Sequence, residues 1–379
     1  MKHKIAIILG TRPEAIKLIP IYLELKKSEL FEPVLISTGQ HESMLNQIFS
    51  FFDVEADMNL NVMQPNQSLT SLTSVLLEKI SNVFETNTFD MVLVQGDTTT
   101  AFVGALCAHY FHIKIAHVEA GLRTYNKWAP FPEESNRKMI SVLADIHFTP
   151  TKLATRALEK ENVLSNVVEV GNSVIDSLFL TQKIIRRRSE YYRKKFSDLL
   201  IENRKVILVT GHRRESFGKG FEEICNALAN IAENNPNLLL IYPVHMNPNV
   251  HSVVHKTLSF YKNIHLINPL PYDELVYIMQ NSWLIMTDSG GIQEEAPSVN
   301  VPVIVMRETT ERQEGIDAGC CILAGTTTRS ILKQFRKIQK SDEIYKKMSL
   351  SQNPYGDGET SKRIVKHISN FFDYKSSVL

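Results

Sequence analysis

Short apolar runs alternate along the chain with longer segments in which apolar positions recur at the spacing of a helix. The runs are rich in β-branched residues, which is typical of strands buried in a parallel sheet. The segments between them are long enough to form crossover helices between parallel strands. The pattern therefore predicts an α/β protein whose sheets are covered by helices.

The predicted elements form two consecutive series, separated by a long helical and basic segment. In the first series the pattern predicts strands at 4–9, 33–38, 90–95, 113–118 and 146–149, and helices at 14–28, 42–51, 67–85, 99–111, 133–144 and 151–161. In the second it predicts strands at 205–210, 237–243, 263–267, 283–287, 301–306 and 320–324, helices at 219–233, 248–260, 272–281, 291–297 and 328–338, and a last helix from Ser361 to Tyr374. Two such series predict two Rossmann-like, doubly wound domains that face a cleft, with a boundary near Gly171.

Composition and charge narrow the class of protein. A chain of 379 residues with 43% hydrophobic and 22% charged residues is ordinary for a soluble protein of two or three domains. A net charge of +1 gives no sign of a nucleic-acid partner, and no apolar run reaches membrane-spanning length. The cysteines show neither metal spacing nor a disulfide framework, which fits a reducing cytoplasm: Cys107, Cys225, Cys320 and Cys321.

The stretch from Thr287 to Ala296 follows an apolar run and opens a predicted helix. Gly290 and Gly291 remove side chains where the backbone turns, so that amide groups can approach a ligand, and Ser289 can cap the helix. The first amides of a helix attract anions. Acids one turn later, such as Glu295, fit a ligand with hydroxyls beside its phosphate, as in a nucleoside diphosphate. An ordinary strand–turn–helix connection explains the stretch equally well.

Polar residues also follow the predicted strands of the first series. Arg12 and Lys17 come after the first strand and could hold the phosphates of a ligand, although a helix cap with solvated charges is the alternative. Asp97, Glu119 and Glu133 follow later strands, and the carboxyl ends of parallel strands meet at one edge of a sheet. Each acid alone is more often structural, but three together favour proton transfer, because crowded carboxylates supply both an acid and a base.

The second series offers fewer candidates. His212 follows its first strand, Arg312 follows a later strand, and His245 lies in a turn bracketed by prolines. The histidines lack the spacing of zinc ligands, so that no metal site is expected. No nucleophile elbow is present, and acyl transfer is not expected either.

Seven motifs, taken in order, closely resemble those of the non-hydrolysing bacterial UDP-N-acetylglucosamine 2-epimerases. They run from Gly10 to Glu14, Gly96 to Thr98, His117 to Arg123, Pro132 to Glu134, Thr210 to Glu215, Asp288 to Glu295 and Asn353 to Gly358. The resemblance implies the glycosyltransferase B fold. It assigns residues 1–171 and the C-terminal helix 361–379 to the first domain, and residues 172–360 to a second, UDP-binding domain.

The resemblance also implies the reaction. UDP-N-acetylglucosamine and UDP-N-acetylmannosamine would interconvert by elimination of UDP across C1–C2 to a glycal-like intermediate and re-addition of UDP with the opposite configuration at C2. The product would supply cell-surface polysaccharide synthesis. No redox cofactor is needed, and a homodimer is expected.

The resemblance further implies a role for each matching residue. Proton transfer falls to Asp97, Glu119 and Glu133, with His212 assisting at the phosphates. The diphosphate is expected to contact Arg12, Lys17, Ser289, Gly290, Gly291 and Arg312, and the ribose Glu295. A second, activating substrate molecule would bind at Gln40, Gln67, Glu134, Arg213 and His245. Asn66 stands where some relatives carry arginine, which makes activation a weaker expectation than catalysis.

Other functions share these motifs in part. A hydrolysing 2-epimerase would release free N-acetylmannosamine and UDP, and a glycosyltransferase would use the same architecture. A catalytically silent nucleotide-sugar binder is the alternative outside enzymes, although the retained acids Asp97 and Glu119 argue against it.

Overall fold

The structure is a computed structural model that describes residues 2–40, 42–64, 67–200, 204–211 and 218–376. It divides into two compact units. Unit 1 comprises Met1–Phe179 together with Gly356–Leu379, and unit 2 comprises Leu180–Tyr355. The division lies within a single helix, Ser173–Arg187.

Unit 1 contains a parallel sheet of seven strands in the order β3-β2-β1-β4-β5-β6-β7. The strands are β1 (His3–Leu9), β2 (Phe31–Ser37), β3 (Met58–Asn59), β4 (Met91–Gln95), β5 (Lys114–Val118), β6 (Ile146–Thr149) and β7 (Val167–Glu169). The helices are α1 (Arg12–Lys27), α2 (Glu42–Phe52), α3 (Leu69–Thr86), α4 (Thr99–Tyr110), α5 (Glu133–Leu143), α6 (Lys152–Lys160), the first part of α7 (Ser173–Arg187) and the last helix, α16 (Thr360–Ser376).

Unit 2 contains a parallel sheet of six strands in the order β10-β9-β8-β11-β12-β13. The strands are β8 (Lys205–Thr210), β9 (Leu238–Pro243), β10 (Ile264–Ile267), β11 (Leu284–Thr287), β12 (Val303–Val305) and β13 (Cys321–Leu323). The helices are α8 (Ser189–Lys195), α9 (Lys219–Asn234), α10 (Pro248–Leu258), α11 (Tyr272–Gln280), α12 (Gly290–Glu295), a 3-10 turn (Ala296–Val299), α13 (Gln313–Asp317), α14 (Thr328–Gln339) and α15 (Asp342–Ser349).

The central strands carry the core of each unit. Every residue of β4 is buried, as are Ile5 to Leu9 of β1, because helices cover both faces of the sheet. In unit 1 the strand order reverses between β1 and β4, and in unit 2 it reverses between β8 and β11. Ligands of doubly wound sheets bind at such switch points, beyond the carboxyl ends of the strands. Gly10 and Gly96 in unit 1, and Gly211 and Asp288 in unit 2, directly follow the strands at these positions.

The two parallel sheets confirm the predicted α/β class. The prediction missed the edge strands β3 and β7, which have two and three residues, and the short helices α13 and α15. The predicted helix 291–297 was too long, because the chain tightens into the 3-10 turn at Ala296 and ends at Asn300 in a left-handed conformation with φ 60°. Among the described residues, the model contains no helix with the length and apolar character needed to traverse a bilayer.

Candidate functional site

The loop after β1 is built around a buried carboxylate, Glu14. Its Oε2 accepts hydrogen bonds from the amides of Gly10 and Thr11, at 3.0 and 2.8 Å, and its Oε1 accepts one from Thr98 Oγ1 at 2.6 Å. Burial raises the pKa of the Glu14 carboxyl, and the hydrogen bonds from Thr98, Gly10 and Thr11 oppose that shift. Glu14 therefore joins the loop that carries Arg12 to the loop that carries Asp97.

Gly10 lies where this loop passes closest to its neighbours. A Cβ atom at Gly10 would lie 2.3 Å from Thr38 Oγ1 and 2.6 Å from Thr100 Oγ1. Thr100 Oγ1 donates to Gln40 Oε1 at 3.1 Å. The absence of a side chain at Gly10 therefore lets the ends of β1, β2 and β4 approach one another.

Glu119 follows β5 and is 8% exposed, with a left-handed φ of 62°. Its Oε1 accepts from Lys17 Nζ at 2.6 Å and from Asn172 Nδ2 at 3.3 Å, and its Oε2 accepts from Gln95 Nε2. A Cβ atom at Gly96 would lie 3.8 Å from Glu119 Oε2, so that the Asp97 loop passes beside this carboxylate. The carboxylate of Glu119 is thus held by side-chain donors from three other segments of the chain.

Asp97 does not cap α4. Thr98 does so, with its Oγ1 accepting from Ala101 N at 3.0 Å. Asp97 Oδ2 instead accepts from Arg137, whose Nε and Nη2 lie at 2.8 and 2.6 Å. Arg137 Nη1 also donates to Glu134 at 3.1 Å. A guanidinium from α5 therefore fixes one oxygen of the candidate catalytic acid.

Glu133 is the first residue of α5 and lies beside Glu134 in the chain. Its Oε2 is buried and has no hydrogen-bond partner among the described residues. A buried carboxylate oxygen without a donor is costly unless a ligand or water supplies one. Glu133 is next in the chain to Glu134, which Arg137 joins to Asp97.

Two neutral histidines lie beneath this edge. His117 and His147 are register partners in β5 and β6, and both are almost completely buried. Burial lowers the pKa of His117 to about 3 and that of His147 to about 4. His117 Nε2 lies 2.7 Å from the carbonyl oxygen of Gly96. A neutral ring must carry its proton on Nε2 to donate there, so that His117 supports the backbone next to Asp97.

The residues predicted for a second ligand are spread over several segments. Gln40 bonds to Thr100, whereas Gln67 Nε2 donates to the carbonyl of Val62 at 3.2 Å. His245 is exposed, and its Nδ1 accepts from Asn247 N at 3.1 Å, as expected of a turn residue. Glu134 is fully buried.

In unit 2, the predicted phosphate loop lies between β11 and α12. Ser289 occupies the N-cap position, but its side chain makes no capping hydrogen bond, contrary to the expectation from the sequence. Its amide donates instead to Thr287 Oγ1 at 2.9 Å. A Cβ atom at Gly291 would meet Ser289 Oγ and Glu295 Oε2, each at 4.0 Å. The Ser289 hydroxyl and the Glu295 carboxylate therefore both lie close to the backbone of Gly291, which has no side chain to cover it.

The two glutamates of α12 have different partners. Glu295 Oε1 accepts from the hydroxyl of Tyr272 at 2.6 Å, and Glu295 is 5% exposed. Glu294 Oε1 accepts from Arg312 Nε at 2.7 Å, and the backbone oxygen of Glu294 accepts from Asn353 Nδ2 at 2.8 Å. Arg312, predicted as a diphosphate ligand, is thus anchored to the base of the loop. Asn353, which begins the last of the seven motifs, therefore contacts the same helix as Arg312.

Two predicted site residues, His212 and Arg213, lie outside the described residues. Arg12 begins α1 and is partly exposed, next to the amides held by Glu14. The described part of the chain contains no group of three histidine, cysteine, aspartate or glutamate side chains placed to hold a metal ion. Its four cysteines are free and buried.

Several residues of this arrangement were not identified as functional from the sequence: Glu14, Gln95, Arg137, Asn172 and Tyr272. Each donates to or supports a predicted site residue across a gap of many positions in the chain. Glu14 stood within a recognised motif, and Arg137 lies one turn after Glu133 on the same helix, so that these two carried a usable signal. Tyr272 and Asn172 carried none.

Comparison with known proteins gives a consistent result. The family model for UDP-N-acetylglucosamine 2-epimerase matches residues 23–369. A UDP-N-acetylglucosamine 2-epimerase of Campylobacter jejuni is 48% identical over 371 residues, which cover 96% of this chain and 97% of that protein. The corresponding protein of Escherichia coli K12 is 44% identical over 371 residues, covering 97% of this chain and 98% of its own.

Solved structures agree with the sequence comparisons. The crystal structure of UDP-GlcNAc 2-epimerase from Neisseria meningitidis bound to UDP-GlcNAc has a TM-score of 0.92 at 42% identity, covering 97% of this chain and 100% of that chain. MurG of Acinetobacter baumannii, which has the glycosyltransferase B fold, matches with a TM-score of 0.57 at 13% identity and bears on the fold alone. The fold predicted from the sequence is therefore confirmed, and the chain belongs to the UDP-N-acetylglucosamine 2-epimerase family.

Proposed function

We propose that this protein interconverts UDP-N-acetylglucosamine and UDP-N-acetylmannosamine without releasing free sugar. Relatives that cover nearly the whole chain carry the name UDP-N-acetylglucosamine 2-epimerase, and a similar structure is described as bound to UDP-GlcNAc. The observation that carries the proposal is the carboxylate of Glu119, held by Lys17, Gln95 and Asn172 beside the Asp97 loop.

The chemistry requires two proton-transfer groups and a stabilised leaving group. A carboxylate removes the proton from C2, the C1–oxygen bond breaks, and UDP departs with the electron pair as the C1–C2 double bond forms. UDP then adds back to C1 while a second acid protonates C2 from the opposite face. Asp97, Glu119 and Glu133 are the proposed acids and bases.

Lys17 gives Glu119 a local counter-charge. Its ammonium lies 2.6 Å from Glu119 Oε1, and both side chains are nearly buried. A lysine in this position compensates the carboxylate and can share its proton as Glu119 changes protonation state. We therefore assign Lys17 to the proton-transfer group rather than to a phosphate alone.

The loop of Ser289, Gly290 and Gly291 is the proposed diphosphate site. The C2 proton is weakly acidic, so that the departing diphosphate must carry most of the developing charge. Backbone amides and the Ser289 hydroxyl can donate to it, and Arg12, Arg312 and His212 are the proposed cations and donors. Glu295, oriented by Tyr272, is proposed to accept from the ribose hydroxyls.

Proton NMR of UDP-N-acetylglucosamine with the protein in deuterated water tests the proposal. We expect a mixture of the two UDP-sugars with deuterium at C2. Release of free N-acetylmannosamine would instead establish the hydrolysing reaction. A substrate that binds but keeps its C2 proton would overturn catalysis at C2 and favour a transferase or a silent binder.

Matched variants separate the site from general stability. Asp97→Asn and Glu119→Gln should each lower C2 exchange by at least about 100-fold. Asp145→Asn is the control, because Asp145 also pairs with a lysine, at 2.9 Å from Lys114 Nζ, but lies before β6 at the opposite edge of the sheet. Equal losses in all three variants would refute the assignment of Asp97 and Glu119.

We also infer a homodimeric, cytoplasmic enzyme, from the resemblance of the motifs. Light scattering coupled to size-exclusion chromatography tests the first inference, and fractionation of the producing cells tests the second. A monomer at micromolar concentration, or a protein recovered outside the cytoplasm, would contradict them.

A further inference from the structure

Arg137 is a buried residue to which neither the motifs nor the proposed chemistry assigns a role. Its side chain is 9% exposed, and it directs Nε and Nη2 at the same oxygen, Oδ2, of Asp97. The neighbouring Asn136 donates to the backbone oxygen of Asp97 at 2.8 Å. Asp97 is thus held through its backbone and through one carboxylate oxygen. No described residue is hydrogen-bonded to the other oxygen, Oδ1.

The third nitrogen of the Arg137 guanidinium, Nη1, bonds to a residue other than Asp97. Arg137 Nη1 lies 3.1 Å from Glu134 Oε2. Glu134 is 0% exposed, and its oxygens also accept from the amides of Thr124 and Tyr125, at 3.0 and 2.9 Å. Glu134 therefore joins Arg137 to the backbone of the loop that precedes α5.

This arrangement bears on the role of Glu134. The resemblance places Glu134 among residues that contact a second ligand, yet here it faces inward and both of its oxygens are occupied by protein donors. A carboxylate with donors on both sides is fixed in orientation, and it fixes the guanidinium that it accepts from. The inward geometry favours a part in organising Asp97.

We propose that Arg137 is a positioning residue for Asp97, and that Glu134 holds Arg137 in place. Two nitrogens on Oδ2 fix the plane of the Asp97 carboxylate and leave Oδ1 for the reacting proton. Glu134 takes the remaining end of the guanidinium, so that Arg137 cannot swing toward the diphosphate of a ligand. The chain of contacts from the Thr124 amide through Glu134 and Arg137 thereby sets the direction of Asp97. This inference rests on the proposed role of Asp97 in epimerisation.

The test compares Arg137→Gln, Arg137→Lys and Glu134→Gln for C2 exchange in deuterated water and for UDP binding by calorimetry. Misplacement of a reacting group by about 1 Å costs on the order of 100-fold in rate. We expect Arg137→Gln to lower kcat by about 100-fold, while KM and the Kd for UDP change by less than about 3-fold. Arg137→Lys keeps the charge without the planar fork and should recover about 10-fold of that loss. Glu134→Gln should lower kcat by about 10-fold, again at nearly constant KM.

Arg363→Gln is the matched control. Arg363 pairs with Asp357 through two hydrogen bonds of 2.8 and 2.6 Å, in the same unit but on α16. It should keep wild-type kcat. An equal loss of kcat in Arg363→Gln and Arg137→Gln would show a general effect of losing an arginine–aspartate pair and would overturn the inference.

The remaining outcomes separate this inference from the proposed function. Absence of C2 exchange by the wild-type protein would refute the function itself. Exchange by the wild type, its loss in Asp97→Asn and its retention within 3-fold in Arg137→Gln would refute the positioning role alone. If Arg137→Gln shows no thermal unfolding transition, that variant is not folded, and the positioning role is then tested with Arg137→Lys. A folded Arg137→Lys with wild-type kcat would then overturn the inference, and a kcat lowered at constant KM would support it.

Discussion

Acid should weaken unit 1 through its buried histidines, and His147 offers the cleanest way to measure this. His147 is 3% exposed, and its Nδ1 is buried without a hydrogen-bond partner among the described residues. Burial and the neighbouring Arg123 lower its pKa to about 4 from 6.5. Replacing His147 with leucine removes the titrating group and leaves an apolar side chain of similar size.

The magnitude follows from proton linkage. Between pH 6.5 and about 4, the unfolded chain binds a proton at His147 that the folded chain excludes, so that stability falls as the pH falls. Each pH unit in that window costs about 1.4 kcal/mol, and the interval from pH 7 to pH 5 therefore costs about 2 kcal/mol for this one group. His117, whose pKa is lowered to about 3, causes a similar loss of stability in the wild type and in His147→Leu.

The assay is urea unfolding followed by far-UV circular dichroism at pH 7 and pH 5. The free energy of unfolding of His147→Leu should fall by about 2 kcal/mol less than that of the wild type between the two pH values. His109→Gln is the control, because His109 is exposed at the end of α4, and it should behave as the wild type. Equal losses in wild type and His147→Leu would refute a neutral, buried His147.

Two further predictions test local geometry. Gly10→Ala should destabilise the protein by about 1–3 kcal/mol, measured by thermal unfolding, because its Cβ would lie 2.3 Å from Thr38 Oγ1 and 2.6 Å from Thr100 Oγ1. An unchanged melting temperature would mean that the two hydroxyls can move aside. Tyr272→Phe removes the donor that orients Glu295 and should raise the Kd for UDP by about 3- to 10-fold, measured by calorimetry, with kcat nearly unchanged. A large drop in kcat at constant Kd would place Tyr272 in the chemistry instead.

A second glycine, Gly220, provides the control for Gly10→Ala. Gly220 lies in α9, where an added Cβ would meet, among the described residues, Thr326 alone, at 3.7 Å. Gly220→Ala should therefore be neutral or slightly stabilising, since alanine favours the helix.

The sequence was sufficient for the fold because local patterns determine it. The strands β1, β4 and β8 contain apolar, buried runs at residues 5–9, 91–94 and 206–209, and helices such as α4 begin at a capping threonine, Thr98. The edge strands β3 and β7 have too few residues to form a pattern. Their positions in the sheet depend on pairing with neighbouring strands, and the local sequence pattern carries no information about that pairing.

The candidate site was predictable only in part, for a related reason. A carboxylate after a strand can be recognised alone, as Asp97 and Glu119 were. Their partners come from distant segments: Arg137 is 40 positions from Asp97, and Lys17 is 102 positions from Glu119. Which cation meets which acid is decided by the order of strands in the sheet. The sequence accordingly suggested Lys17 and Arg312 as phosphate ligands, but it did not show that they pair with Glu119 and Glu294.

The return of the last helix to unit 1 has a consequence for how the protein is made. α16 packs on α1, its Phe372 stacks on His3 with ring centroids 4.0 Å apart, and the amides of Thr360 and Ser361 donate to Asp176. Unit 2 is therefore an insertion between two segments of unit 1. On the ribosome, the strands of both sheets are therefore synthesised before α16, and unit 1 receives its last helix only after the whole of unit 2 has been made.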